Sequence, residues 1–126
     1  MAEGRGSAMV AMAMLCLLVA ALQCEVAQAA TYVVGGRGGW TFNVSGWEKG
    51  KKFKAGDVLV FNYQKGAHNV VGVNKVGYGG CSTTPSNAKV YSSGKDQIRL
   101  VKGLNNFICT LPGHCGSGMK IQISAS

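Results

Sequence analysis

The chain has 126 residues, with 13 lysines and arginines against 5 aspartates and glutamates, and a formal net charge of +8. This length suits one domain with one modest hydrophobic core. The lysines are scattered rather than interleaved with aromatic residues, and no nucleic-acid-binding motif is present. The positive charge therefore does not indicate a nucleic-acid partner.

The N-terminal segment has the features of a secretory signal peptide. Arg5 precedes a run of apolar or small residues at 8–22, and Ala-Gln-Ala at 27–29 fits the small-x-small rule for cleavage. The run is shorter than the roughly 20 residues that a membrane-spanning helix needs. We therefore predict a signal peptide at residues 1–29 and a mature domain at residues 30–126, which is secreted to the extracellular space.

Cleavage would increase the positive charge of the chain. The removed segment holds one of the 13 basic residues and two of the 5 acidic ones, which leaves 12 basic and 3 acidic residues and a formal charge of about +9. This charge predicts an acidic partner whose association weakens as salt rises, either a protein with an acidic patch or an acidic polysaccharide. Solubility alone also explains a lysine-rich surface. The charge does not establish the oligomeric state.

Frequent glycines divide the predicted mature domain into short runs rich in valine, isoleucine, phenylalanine and tyrosine, which are typical of strands. About seven strands with no long helical periodicity predict an all-β sandwich with one or two short helices, near 46–50 and 84–88. The predicted strands are Tyr32–Val34, Asp57–Tyr63, Asn69–Asn74, Lys89–Tyr91, Gln97–Val101, Asn106–Thr110 and Lys120–Ser124.

A glycosylation sequon, Asn43-Val-Ser, lies early in the predicted mature domain. In a secreted chain it predicts a glycan on Asn43, although such a sequon can also stay unoccupied. Three aromatic residues surround it, Trp40, Phe42 and Trp47. We expect their side chains to pack in the core or at its rim.

The residues with the clearest chemistry are Cys109, His114 and Met119, which are five residues apart, together with His68, the second of only two histidines. Singly, each has an ordinary alternative, since Cys109 could form a disulfide, His114 could be a solvated loop residue and Met119 could fill the core. Together, a thiolate, two imidazoles and a thioether are the donor set of an electron-transfer copper site. The sequence therefore predicts one copper ion of type 1, which cycles between Cu(I) and Cu(II).

Further motifs extend over the whole predicted mature domain. They are Tyr32-Val-Val-Gly-Gly36, Gly38-Gly-Trp-Thr-Phe42, Phe61-Asn-Tyr63, His68-Asn-Val-Val71, Ala88-Lys-Val-Tyr91, Asp96-Gln-Ile98, Phe107-Ile-Cys109 and Pro112-Gly-His-Cys115. Together they resemble the phytocyanins, the plant family of blue copper proteins, and in particular the plantacyanin or basic blue protein subgroup. This resemblance implies a cupredoxin-like Greek-key β-sandwich that holds the four ligands at one end.

The resemblance also has consequences for the cysteines. The predicted mature domain contains Cys81, Cys109 and Cys115, and by residue type alone any two of them could pair in an oxidising compartment. The resemblance implies a Cys81–Cys115 disulfide, which leaves Cys109 for the metal. Asn69, beside His68, is either a residue that connects the ligand segments by hydrogen bonds or an ordinary polar strand residue.

The function that the resemblance implies is one-electron transfer rather than catalysis. The resemblance to a plant family also implies the apoplast or cell wall as the location. It implies either a redox partner with an acidic patch or an acidic cell-wall polysaccharide as the binding partner. Two histidines leave no ligands for the additional copper centres that oxygen reduction needs. The alternative is a basic cell-wall or signalling protein, for example in pollen–pistil interaction, whose recognition of a partner does not need redox turnover. Met119, where stellacyanins have glutamine, predicts a higher reduction potential than theirs. Because the sequence stops shortly after Ile123, we expect no lipid anchor.

Overall fold

The computed structural model describes residues 28–126, which form two β-sheets around a shared core. The predicted signal peptide, residues 1–29, lies outside the described residues except for its last two positions, so it stays a prediction. Among residues 28–126, no helix has the length and apolar character that crossing a membrane requires.

Residues 28–126 contain seven strands and three short helices. The first sheet has the strand order β1-β2-β5, in which β2 is parallel to β1 and antiparallel to β5. The second sheet has the order β4-β3-β6-β7 and is antiparallel throughout. The elements are β1 (Thr31–Val33), β2 (Val58–Asn62), β3 (Val70–Val73), α1 (Lys75–Gly80), β4 (Val90–Tyr91), β5 (Lys95–Arg99), β6 (Gly103–Ile108), β7 (Lys120–Ala125) and 3-10 helices at Gly36–Gly38 and Cys115–Ser117.

The predicted all-β sandwich of about seven strands is confirmed, but the positions predicted for the short helices were wrong. Residues 46–50 and 84–88 form turns and bends, and the α-helix is α1, in a stretch with three glycines. The Asn74 side chain caps and stabilises the start of this helix, because it accepts a hydrogen bond from the Gly77 N–H at 2.9 Å. Its C-terminal end is Cys81, which adopts the left-handed conformation at φ 53°.

The core lies between the sheets because the strands alternate between buried and exposed residues. In β5, Asp96 and Ile98 point inward while Lys95, Gln97 and Arg99 are exposed. The largest fully buried side chain is Trp40, whose ring packs edge-to-face on Phe61 with centroids 5.0 Å apart. Its indole N–H donates to the carbonyl of Asn69 at 2.8 Å, so Trp40 connects the core to the segment that carries His68.

A buried carboxylate in β5, Asp96, connects this strand to Tyr63, the residue that follows β2. Asp96 accepts hydrogen bonds from the Ser93 hydroxyl at 2.6 Å and from the hydroxyl of Tyr63. Burial, and then the hydrogen bond to Asp96, raise the pKa of Tyr63 from 10.0 to about 12. The phenol therefore stays protonated, and continues to donate to the carboxylate, well above neutral pH.

This raised pKa predicts a specific alkaline weakening of the fold. Because the folded-state pKa lies above the unfolded one, the stabilisation by Tyr63 is complete below pH 10 and is lost as the pH rises towards about 12. We expect the advantage of the wild type over Tyr63→Phe in free energy of unfolding to shrink by about 1–2 kcal/mol over this range. Urea unfolding of both proteins from pH 8 to 12 measures this, and a constant difference would contradict it.

Candidate metal centre

The antiparallel second sheet brings the predicted ligands to one end of the sandwich. His68 lies two residues before β3, and Cys109 follows β6 directly. β3 and β6 are paired with Val71 opposite Ile108, so the start of one strand lies beside the end of the other. The loop between β6 and β7 contains His114 and Met119.

Three side chains converge there. The Sγ atom of Cys109 lies 3.5 Å from Nδ1 of His114, which in turn lies 3.0 Å from Nδ1 of His68. The candidate ligand atoms of all three residues are within 4.8 Å of one another. Cys109 is completely buried, whereas both histidines are half-buried. The centre therefore has a thiol in the core and two imidazoles that reach towards the surface.

Met119 lies beside these residues and is completely buried in the same core cluster as Cys109. Its carbonyl accepts a hydrogen bond from the Cys109 N–H at 3.1 Å, and its own N–H donates to the carbonyl of His114 at 3.2 Å. The backbone of Met119 is thus hydrogen-bonded to the backbones of Cys109 and His114.

The structure contains a disulfide between Cys81 and Cys115, which are 34 residues apart in sequence, and leaves Cys109 as a free, buried thiol. This is the pairing that the family resemblance implied. Cys115 directly follows His114, so the bridge connects the ligand loop to the C-terminal end of α1.

Asn69 connects the two segments that carry His68 and Cys109. Its side-chain oxygen accepts a hydrogen bond from the Thr110 N–H at 2.8 Å, and its side-chain nitrogen donates to the Thr110 hydroxyl, also at 2.8 Å. Each partner is the immediate neighbour of a candidate ligand. These two bonds fix the separation of the ligand segments more tightly than the strand pairing alone.

Burial and charge favour the metal-binding form of His68. Burial, and secondarily the positive charge that His114 carries when protonated, lower the pKa of His68 below its usual 6.5. A histidine must be neutral to bind a metal ion. We therefore expect His68 to remain able to bind a metal at a more acidic pH than an ordinary surface histidine.

Comparison with known proteins agrees with this geometry. The sequence profile of the plastocyanin-like domain family, whose name indicates copper binding, matches residues 40–119. The "Basic blue protein" of Cucumis sativus is 62% identical over 96 residues, which cover 76% of this chain and 99% of the relative. The chain is a phytocyanin.

Two solved structures support the predicted plantacyanin or basic blue protein subgroup. The cucumber basic protein, titled a blue copper protein, has a TM-score of 0.75 and 61% identity, and the match covers 77% of this phytocyanin and 100% of that chain. Spinach plantacyanin has a TM-score of 0.66 and 61% identity, over 70% of this phytocyanin and 94% of that chain. The match to these structures confirms the cupredoxin fold.

The donor set fits the predicted cofactor, a single type 1 copper ion. A buried thiol with two imidazoles suits copper, which accepts soft sulfur and nitrogen ligands together. Cys109 is the one free cysteine among the described residues, so its thiol is available to a metal. His68 and Cys109 lie at the ends of paired strands, and His114 lies in the loop that follows Cys109. Donors fixed in this way would suit an ion whose two oxidation states share similar ligands.

Phe42 contacts the metal centre, which its place in the sequence did not suggest. Phe42, expected to pack at or near the core, is 44% exposed and lies edge-on to both imidazoles, with ring centroids 5.5 Å from His68 and 4.8 Å from His114. It therefore covers the half-buried histidines from outside. The contacts join residues that are 26 and 72 positions apart, and no local pattern in the sequence signals them.

The two Asn69 hydrogen bonds lead to a testable prediction. In Asn69→Ala, the Thr110 N–H and hydroxyl lose their partner, so we expect the free energy of unfolding to fall by about 1–3 kcal/mol. Copper affinity should fall by about 10–100-fold, as is typical when a group that orients ligands is removed. Chelator competition measures the affinity. Asn62→Ala, an exposed asparagine elsewhere, is the control, and equal effects of the two substitutions would contradict the prediction.

Proposed function

We propose that this phytocyanin is a secreted one-electron carrier rather than an enzyme. Bound copper would supply the Cu(I)/Cu(II) couple. The observation that carries the proposal is the buried Cys109 thiol, with two imidazoles whose ligand atoms lie within 4.8 Å. The blue copper names of the relatives support a carrier over a protein that only recognises a partner.

In this proposal, His68, Cys109 and His114 would be the strong ligands of copper, and the Met119 thioether would be a weaker fourth ligand. The fold determines each of these positions. His68 and Cys109 lie at the ends of paired strands, and backbone hydrogen bonds join Met119 to both Cys109 and His114. Ligands held in this way need little rearrangement when the charge of the metal changes. The protein thereby keeps the cost of electron exchange low.

The half-buried histidines give the most direct electronic route to the surface. Cys109 is completely buried, so a redox partner meets the imidazole edges and the Phe42 ring first. Secretion is supported by the N-terminal sequence pattern and by the Cys81–Cys115 disulfide, because such bridges persist in oxidising compartments.

The assignment of Met119 as a copper ligand can be tested by replacing it. We expect Met119→Gln to lower the reduction potential of the copper-loaded protein, because an oxygen donor favours Cu(II) more than a thioether does. Met119→Leu, which has no donor, should raise the potential. Voltammetry of the three proteins measures this order. If glutamine and leucine shift the potential in the same direction, Met119 acts through packing and not as a ligand.

We also propose an acidic partner, on the basis of how the charges are distributed. Of the three acidic residues in 30–126, Asp57 and Asp96 are buried and accept hydrogen bonds within the fold. Glu48 is half-buried and accepts a hydrogen bond from the Gly46 N–H at 3.0 Å. The lysines and arginines therefore dominate the charge that a partner meets.

Part of this charge is concentrated at the end of the sandwich opposite the metal centre. The turn at 54–57 is hydrogen-bonded to Leu100 and to the C-terminal residue, which brings together exposed Lys52, Lys54, Arg99 and Lys102. We call these four residues the distal basic cluster. β6 extends from Gly103 at this end to Ile108 near the copper ligands, a distance of about 17 Å at about 3.4 Å per residue.

An acidic wall polysaccharide suits the distal basic cluster, because its binding there would leave the histidine face open to a redox partner. We expect Lys52→Gln/Lys54→Gln/Lys102→Gln to weaken binding to de-esterified polygalacturonate by about tenfold at low salt. The control, Lys65→Gln/Lys75→Gln/Lys95→Gln, removes the same charge from other exposed positions. Equal loss in both variants would contradict a localised site, and no binding by the wild type would contradict the partner.

A further inference from the structure

A shallow cleft lies beside the metal centre and includes the glycosylation sequon. Its volume is about 230 Å3, and its lining includes Phe42, Asn43, Trp47 and the glycines at 35, 38 and 39. It is smaller than the roughly 300–1,000 Å3 of sites for drug-sized ligands. It therefore suits one small ring rather than an extended molecule.

The cleft combines backbone and aromatic surfaces. A Cβ on Gly39, at φ 71°, would lie 2.6 Å from the carbonyl oxygen of Asn62, and a Cβ on Gly35 would lie 2.1 Å from the carbonyl oxygen of Gly39. Side chains are thus excluded at both positions, and this part of the lining remains backbone. Phe42 and Trp47 add aromatic rings, which pack well against the C–H face of a sugar.

Backbone hydrogen bonds hold the sequon against the loop between β6 and β7. The Asn43 N–H donates to the carbonyl of Ser117 at 3.1 Å, and the Ser45 N–H donates to the carbonyl of Gly118 at 3.0 Å. Asn43 is exposed and has a left-handed conformation at φ 60°, which asparagine tolerates. A group attached to Asn43 therefore has a fixed origin, at the rim of the cleft and one residue from Phe42.

We infer that Asn43 carries an N-linked glycan whose first sugar occupies this cleft against Phe42 and Trp47. The inference rests on the proposed secretion, because such glycans are added in the secretory pathway. Asn43 Nδ2 forms a bond to the anomeric carbon of a polyisoprenyl-diphosphate-linked oligosaccharide. The diphosphate leaves with the electrons of the broken C–O bond, and the amide nitrogen loses one proton.

This placement has a consequence for electron transfer. Phe42 lines the cleft and also contacts both His68 and His114, so a sugar packed on Phe42 lies at the edge of the histidine face. The rest of the glycan would extend beside that face. It would restrict the orientations in which a protein-sized partner reaches the histidines, while small reagents would still pass.

Intact mass and NMR test the glycan directly. The full chain is expressed in a secreting plant-cell host, and the product in the medium is compared with Ser45→Ala, which destroys the sequon and keeps Asn43. We expect a mass increase that deglycosylation removes from the wild type alone, and nuclear Overhauser contacts between the first sugar and the Phe42 and Trp47 rings. An unmodified secreted product, or a glycan without these contacts, would overturn the inference.

Electron exchange tests the consequence. With ferrocytochrome b5 as the protein-sized donor, we expect the glycosylated wild type to react roughly threefold or more slowly than Ser45→Ala, because fewer docking orientations are productive. With ascorbate, both should react at similar rates. Adding Ser124→Asn/Ser126→Thr to Ser45→Ala moves a sequon to exposed, uncharged positions at the opposite end. Once its occupancy is checked by intact mass, this control should react as Ser45→Ala does.

Equal rates of wild type and Ser45→Ala with cytochrome b5 would contradict the shielding. Failure of the inference and failure of the proposed function are distinguishable. The mass and the sugar contacts do not depend on copper, so they can be measured even if the metal centre is inactive. Conversely, a chain that is secreted without a glycan but exchanges electrons would overturn the inference and leave the carrier function standing.

Discussion

Replacing Cys109 with serine should abolish the blue colour of the copper-loaded protein while leaving the fold intact. The intense visible absorption of such a site is a charge transfer from the thiolate to Cu(II), and a serine oxygen cannot supply it. Cys109 is completely buried, so the added hydroxyl should lower the free energy of unfolding of the metal-free protein by about 1–2 kcal/mol. Absorption spectroscopy and urea unfolding measure the two effects.

The matched control is Cys81→Ser/Cys115→Ser, which removes two cysteines and keeps the candidate ligand. The folded control should be blue, since its Cys109 thiol is retained. A colourless control that is otherwise folded would show that the disulfide is needed to form the site. If Cys109→Ser kept the intense absorption, the thiolate assignment would be wrong.

The same double substitution should cause the largest loss of stability. The bridge closes a loop of 34 residues, and the chain-entropy relation for this length gives about 3–4 kcal/mol of stabilisation at 25 °C. The loss should also loosen the ligand loop, because Cys115 adjoins His114 and is buried in a second small cluster with Val71, Val73 and Ile108. Denaturant unfolding of the metal-free protein measures the effect.

A suitable control for the disulfide is reduction of the wild type, which breaks the same bond without changing a residue. It should lower the midpoint of unfolding about as far as the double substitution does. A loss below about 1 kcal/mol in both cases would show that the unfolded chain is already compact around this loop, and the entropic account would fail.

The candidate ligand residues stand out in the sequence because their chemistry is rare in combination. Two histidines, a cysteine and a methionine at this spacing indicate copper, whatever the details of the strands. The strands themselves were predicted with small errors at their ends, since alternation along runs such as 95–99 reflects burial on one face. The pairing of β3 with β6 then brings His68 and Cys109 together.

Features that depend on long-range contacts were not predictable. Three glycines argued against α1, yet Gly77 is required there because a Cβ would lie 2.7 Å from both the Ser82 carbonyl oxygen and the Val73 Cβ. Packing in this case overrides the low helix propensity of glycine. The position of Phe42 over both histidines likewise joins distant parts of the chain. A connection of the ligand segments by Asn69 was one of two interpretations of the sequence, but its partner Thr110, 41 positions away, was not identified.

The most direct test of the account is a redox titration of residues 30–126, refolded under oxidising conditions and loaded with one equivalent of Cu(II). Absorbance is followed while ascorbate and then ferricyanide are added. The account predicts a blue protein that loses its colour on addition of one electron per chain and regains it fully on reoxidation. A colourless protein, or one that bleaches irreversibly, would contradict the central claim that the protein is a one-electron copper carrier.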